Sequence, residues 1–229
     1  MIRSPLVGKS AAKALVVIAL WLFALWHVLG MLAAAEPPAV PEPPTFIYGN
    51  PKARFTLIEY ADLECPYCKD AFPQLQRLVD RHQQLNWQWH HLPLNIHGEA
   101  AQYEARLVTC AGWLGGNAVF WQAVEAVYRY SRGNGAGLAV PLDQLGLQPK
   151  VSLAHLESCA RNNAKVRRVV DDQARAAVGK GINATPTLEL RNNSTGRTVR
   201  LPGVLDEAGM LSAMDWLGAQ GRADAQPGR

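Results

Sequence analysis

Apolar positions along the chain fall into three kinds of run, and each predicts a different element. One is nearly continuous: Ala14 to Ala35 is broken only by His27 and Gly30. A second kind is short. Phe55-Thr56-Leu57-Ile58-Glu59-Tyr60 reads as a strand, and Asn86-Trp87-Gln88-Trp89-His90-His91-Leu92 alternates and reads as another, ended by Pro93. The third kind recurs at helical spacing. Phe72, Leu75, Leu78 and Val79 define a helix between the two strands, so strand, helix and strand form a βαβ unit with parallel strands. Ala101, Ala105, Val108 and Ala111 predict a helix over 99–114, and Val119, Phe120, Val124 and Val127 one over 117–130. Short helices follow at Leu142–Leu145 and Ser152–Ala160, with Ser152 as N-cap. Val166, Val169, Val170, Ala174, Ala177 and Val178 line a helix over 164–178 that Gly179 and Gly181 stop. Thr187–Leu190, the turn Asn192–Gly196 and Arg197–Leu201 read as a hairpin, and Asp206–Leu217 as a closing helix. Gly133–Gly137 reads as a flexible loop, and the tail from Gly218 as disordered.

The long apolar run changes the picture of where the chain resides. Residues 1–35 combine a basic start with a run about long enough to span a bilayer, which takes roughly 20 residues. They read as a retained signal-anchor with a cytoplasmic N-terminus, or as a signal peptide cut after Ala33-Ala34-Ala35. Either way the remainder faces an oxidising compartment, periplasmic in a bacterium, anchored at the inner membrane through residues 14–35 or free. Residues 36–44 (EPPAVPEPP) are a proline-rich linker, extended at about 3.1 Å per residue if polyproline II. Residues 45–217 form one α/β domain, with a helical insertion at about 98–163, and 218–229 are tail.

Net charge is +4, but Arg3, Lys9 and Lys13 precede the apolar run and every acid follows it. Without those three, 20 basic residues face 19 acidic ones, so no nucleic-acid footprint is expected. Arg161, Lys165, Arg167, Arg168, Arg175 and Lys180 read as a solvated helix face.

The candidate chemistry lies in Cys65-Pro66-Tyr67-Cys68, directly after the first strand and at a helix start. Cys65 occupies the N-cap position and Pro66 suits the first helical position, where a missing N–H costs nothing. The free N–H groups of the first turn point at the Cys65 sulfur. A thiol of pKa about 8.5 is only a few per cent thiolate at neutral pH. The helix dipole supplies up to about 2 kcal/mol, hence about one pKa unit, and anything larger requires direct hydrogen bonds to the sulfur. Cys65 is then the exposed attacking thiol, and Cys68, a turn further in, the buried resolving thiol.

These residues resemble the thioredoxin superfamily, specifically the exported DsbA-like thiol:disulfide oxidoreductases. Four features over residues 45–217 carry the resemblance: Cys65-Pro66-Tyr67-Cys68 after a strand, Pro73 five residues on, Ala184-Thr185-Pro186-Thr187 entering the hairpin, and Glu59 six residues before Cys65. It implies a thioredoxin fold, a central mixed β-sheet flanked by helices, with a helical insertion. It implies a cis bond at Thr185–Pro186, affordable at about 0.5–1 kcal/mol, with Thr185 backbone facing the disulfide and open to an extended substrate strand. Pro66, Tyr67, Thr185 and Pro186 then contact substrate. Glu59, an acid in a buried strand, has a raised pKa and exchanges a proton with Cys68. Asp62 and Glu64 are expected on the rim, slightly raising the Cys65 pKa.

Cys110 and Cys159 both fall in the insertion and are expected to pair, with two buried free thiols as the alternative. No metal is expected, because there is no second Cys-X-X-Cys and His90-His91 face opposite sides of a strand. No cofactor is implied. The partners implied are extracytoplasmic protein thiols and disulfides and a membrane redox partner, and the domain is expected to be a monomer. The dipeptide is Pro-Tyr where the most oxidising members have Pro-His, and Thr185 is more typical of isomerase-type relatives. Those relatives use an N-terminal dimerisation domain, for which about ten residues leave no room. Oxidase action is favoured. Reductase or isomerase action, and a membrane-tethered chaperone or assembly protein that docks through the same fold, are the alternatives; the leader and the insertion disfavour a cytosolic glutaredoxin.

Overall fold

The computed structural model describes residues 20–23, 45–147 and 151–224. The chain divides into two units, Met1–Glu42 and Pro43–Arg229. In the first, residues 20–23 form a helical turn with Leu20, Trp21, Leu22 and Phe23 exposed. The rest of the apolar run and the linker at 36–44 lie outside the described residues, and the anchoring and cleavage expectations with them. Among the described residues no helix is long and apolar enough to cross a membrane.

The second unit is built on a five-stranded sheet in the order β1-β3-β2-β4-β5. Its strands are β1 (Ile47–Gly49), β2 (Phe55–Ala61), β3 (Leu85–His91), β4 (Thr187–Asn192) and β5 (Thr198–Arg200). Helix α1 (Pro66–Arg81) is the crossover that makes β2 and β3 parallel; the other pairings are antiparallel, so the sheet is mixed. All seven residues of β2 are buried, because both faces of the sheet are covered. Phe55, Leu57 and Ala61 join α1 and the insertion in the main core, while Ile58 and Tyr60 pack with Leu92, Ala177 and Ile182 behind.

The insertion comprises α2 (Gly98–Gly115), α3 (Asn117–Tyr130), a 3-10 turn at Leu142–Leu145 and α4 (Leu153–Asn162). Cys110 on α2 is bonded to Cys159 on α4. Trp87 and Trp89 of β3 meet Phe120, Trp121 and Tyr128 of α3, which fixes the insertion to the sheet. Helix α5 (Ala164–Gly179) leads to β4, and α6 (Glu207–Asp224) closes the chain.

Several elements differ from the pattern reading. β1 is an extra edge strand; with three half-exposed or exposed residues it left no periodic signal. Gly49 there adopts φ +85°, and a Cβ would lie 2.5 Å from Val79 Cγ1. The final helix runs beyond Gly218 to Asp224, so the expected disordered tail is corrected to that extent; residues 225–229 lie outside the description. The extension is held at its start: Asn192 donates to the carbonyl of Leu217, just before it, and Arg197 to that of Gln220 within it. Ser152 makes no side-chain cap, whereas Asn163 caps α5 by accepting from Lys165 and Val166 N–H. Lys180 is no purely solvated cation, since its Nζ donates to Tyr60 at 3.0 Å.

Candidate active site

Strand β2 delivers the chain to a turn at Asp62–Glu64, and α1 starts immediately after it. Cys65 is the N-cap in extended conformation and Pro66 the first helical residue. The first helical hydrogen bond runs from Lys69 N–H to the Cys65 carbonyl, so the N–H groups of the preceding turn are left for the sulfur. Tyr67 is 73% exposed, and Cys68 is wholly buried one turn in.

Both cysteines are free thiols. Cys65 is not the exposed thiol expected from its position: it is 4% exposed. The loop entering β4 covers it, with the Thr185 carbonyl accepting a hydrogen bond from Sγ at 3.3 Å. The Thr185–Pro186 peptide is cis. Tyr67, Asp70, Ala71, Gln74, Thr185, Pro186, Gly203 and Val204 line a shallow groove beside the dithiol.

The two sulfurs are driven apart in acidity. The Cys68 thiol hydrogen-bonds the Cys65 sulfur and, with help from the Thr185 side chain and the N–H groups of Cys68 and Tyr67, lowers the Cys65 pKa to about 6 against the cost of burial; the Thr185 carbonyl bond belongs to the protonated thiol. That exceeds what a helix dipole supplies, and the excess comes from these direct bonds. Burial first, then the bond to Cys65 and the charges of Glu59 and Cys65, push Cys68 well above an ordinary thiol. A sulfur that is thiolate at neutral pH therefore sits against one that keeps its proton.

Glu59 points from β2 into the core beneath this pair, 1% exposed. Among the described residues neither of its oxygens has a close hydrogen-bond partner, and the facing Trp87 indole N–H is equally unpartnered at close range. Burial raises its pKa to about 8; Trp87 opposes the rise and the charge of Cys65 adds to it.

Asp62 and Glu64 are not on the rim; they are 1% and 0% exposed, respectively. Asp62 accepts from Glu64 N–H at 2.8 Å, from Leu94 N–H at 2.7 Å and pairs with His97 Nδ1 at 2.7 Å. The Glu64 carboxylate accepts from Ser131 Oγ at 2.5 Å and Gly137 N–H at 3.0 Å, and its carbonyl from Asn134 N–H at 2.7 Å. The glycine loop at 133–137 is accordingly pinned to the active-site turn instead of hanging free. These acids turn inward because, apart from the Glu64 N–H itself, the donors to their carboxylates come from 32 to 73 residues away in the chain, where a local reading of a charged turn defaults to water.

The pattern reading also missed Glu104, buried at 1% exposure. A signal existed: position 104 lies three residues after Ala101 and four before Val108, on the apolar stripe of α2. His91 is likewise internal, accepting from Trp89 Nε1 at 3.0 Å and bonding Thr109 at 3.0 Å. Among the described residues no group of side chains could hold a metal ion.

The chain's likeness to known proteins agrees with this geometry. The family model described as Thioredoxin matches residues 42–198. The crystal structure of Pseudomonas aeruginosa DsbA2 is similar at TM-score 0.70 and 47% identity, over 76% of this chain and 95% of that one. The crystal structure of Wolbachia pipientis α-DsbA1 shares the fold at TM-score 0.62 and 21% identity, over 82% of this chain and 98% of that one. The chain belongs to the thioredoxin family, and within it to the DsbA-like thiol:disulfide oxidoreductases. Curated relatives include a Na+/H+ antiporter NhaA 1 of Salinispora arenicola, 26% identical over 80% of this chain, and a Na+/H+ antiporter NhaA of Herminiimonas arsenicoxydans, 32% identical over 72%. The chain spans 27% of the length of each.

Proposed function

We propose that this domain exchanges disulfides with extracytoplasmic proteins through Cys65 and Cys68, and that it acts as an oxidant. The observation that carries this reading is the placement of Cys65 at a helix N-cap against the cis Thr185–Pro186 loop with Cys68 buried behind it, and the acidity gap between the two sulfurs supports it. A substrate thiolate attacks Cys65 of the Cys65–Cys68 disulfide; the bond between the two sulfurs breaks and Cys68 leaves with the electron pair. Cys68 then takes a proton from Glu59, whose carboxyl is largely protonated at neutral pH. The substrate's second thiolate attacks its own sulfur in the mixed disulfide and expels Cys65 as a stable thiolate. The substrate is oxidised by two electrons and the dithiol is left reduced, to be recharged by a membrane redox partner.

The depressed Cys65 pKa favours the reduced form. At pH 7 a shift from about 8.5 to about 6 is worth at most about 1.4 kcal/mol, or roughly 30 mV of added oxidising power. The groove between Tyr67, Pro186 and Val204 suits an extended peptide pairing with Thr185 backbone. The apolar run at 14–35 supports tethering of a monomer at the periplasmic face of a bacterial inner membrane, or release there if cut after Ala35. We assign residues 36–44 as linker and 45–224 as the working domain.

Titration against a glutathione redox buffer tests the direction. A reduction potential of about −120 to −200 mV is expected; one below about −250 mV assigns the protein to disulfide reduction. Full function in cells from a Cys65→Ala variant would remove exchange altogether and leave the docking reading.

A further inference from the structure

We propose that Glu104 is a positioning residue of this site: it carries a proton and donates it to the Glu64 carboxylate, and the acid pair ties the turn before Cys65 to the helical insertion. The inference rests on the thiol-exchange reading above and extends it to a residue outside the dithiol and its proton donor.

Glu64 is the residue directly before Cys65, and a free negative charge there opposes ionisation of the neighbouring thiol. The turn is instead held from three sides. Leu94 and His97 grip Asp62, which in turn receives the Glu64 N–H. Ser131 and Gly137 donate to the Glu64 carboxylate. Glu104 approaches from α2. Neither Glu104 oxygen finds an N–H or O–H donor among the described residues, although the side chain is buried. The charged groups bearing on it are Glu64 and Asp62, both acids of the turn, with His97 engaged on Asp62. Two ionised carboxylates in contact without a donor between them are mutually destabilising. One proton resolves this: a protonated Glu104 gains an O–H donor, and Glu64 retains an acceptor position beyond Ser131 and Gly137.

The acidities agree with that placement of the proton. Burial, then the Glu64 charge and hydrogen bond, push Glu104 to about 9. Burial alone would raise Glu64, but bonds from Ser131, Gly137, Glu104 and Gly135 outweigh it and hold its carboxyl low. The Glu64 charge is thus turned into the insertion and away from Sγ. The pair is separate from Glu59, which comes from β2 beneath Cys68.

Two variants test this in the full chain. Glu104→Gln keeps an N–H donor without a titrating proton; Glu104→Leu keeps bulk and removes the donor. The Cys65 titration, followed by thiolate ultraviolet absorbance in the reduced protein, is expected to be unchanged in Glu104→Gln and raised by about one unit in Glu104→Leu. Infrared difference spectra at neutral pH are expected to lose one protonated-carboxyl band in Glu104→Gln. A folded Glu104→Leu variant with the parent Cys65 titration overturns the proposal, as does a Glu104→Gln spectrum with no band lost. If Glu104→Leu does not fold, the infrared result alone decides. None of these readouts needs a protein substrate, so failure here is distinct from failure of the exchange reading, which the Cys65→Ala variant reports.

Discussion

Glu59 is a single side chain whose burial sets the timing of the proposed exchange. Its pKa of about 8 leaves it protonated when Cys68 is expelled, and no water-exposed acid could be so near neutrality. Glu59→Gln preserves shape and removes the transferable proton. We expect single-turnover reduction of the oxidised protein by a dithiol to slow by about 100-fold, the lower end of general-acid contributions, with loss of the rate inflection near pH 8. Stopped-flow measurement across that pH range checks it; an unchanged profile removes Glu59 from the proton path. Much at this scale could be named in advance. Cys65, Cys68 and Pro186 sit in short local patterns, and Glu59 is an acid inside an apolar strand. Asp62 and Glu64 could not be placed so, because what decides their burial is the arrival of His97 and Ser131 from distant stretches of chain, whereas Glu104 was legible only as an acid on the apolar stripe of its helix, with no sign of its neighbours.

At the level of elements, the insertion depends on joints that span few residues. The Cys110–Cys159 bond closes a loop of 49 residues between α2 and α4. A Cys110→Ala/Cys159→Ala variant is expected to lose up to about 4 kcal/mol in urea unfolding, the chain-entropy ceiling for such a loop. Asn163 is both the end of α4 and the N-cap of α5, and its side chain accepts two N–H bonds. Asn163→Ala is expected to cost about 1 kcal/mol, read from the same unfolding midpoint, while Ser152→Ala, which removes no side-chain cap, is expected to change little. Periodicity located α1 to α5 and the βαβ unit because each has a long apolar face with a fixed repeat. It failed for β1, where three residues carry no period, and for the last turns of α6, which partners on β4 and the β4–β5 turn hold at their start.

For the whole molecule, the buried titratable groups oppose one another across the pH scale. His90 and His91 are lowered, chiefly by burial, to about 4 and about 3, so unfolding takes up two protons once the pH is below the unfolded value of about 6.5. Their stabilising neutrality is progressively lost as pH falls from there. Glu59 and Glu104 are raised to about 8 and about 9, so unfolding releases two protons above the unfolded value of about 4.5. Their contribution is complete in acid and is lost as pH rises through the folded values. Each group changes stability by about 1.4 kcal/mol per pH unit within its window, and the two pairs cancel where the windows overlap. The oxidised protein should therefore be most stable at about pH 5.5, with melting temperature falling on both sides. Glu59→Gln and Glu104→Gln should each flatten the alkaline limb and leave the acid limb in place. Reduction adds Cys65, whose folded pKa of about 6 lies below its unfolded value, so stability from its thiolate grows as pH rises from about 6 to 8. The melting temperature of the reduced form minus that of the oxidised form should climb across that interval. A difference that stays flat with pH, in paired melts of the two redox forms, would mean that Cys65 is not held as a thiolate in the folded protein.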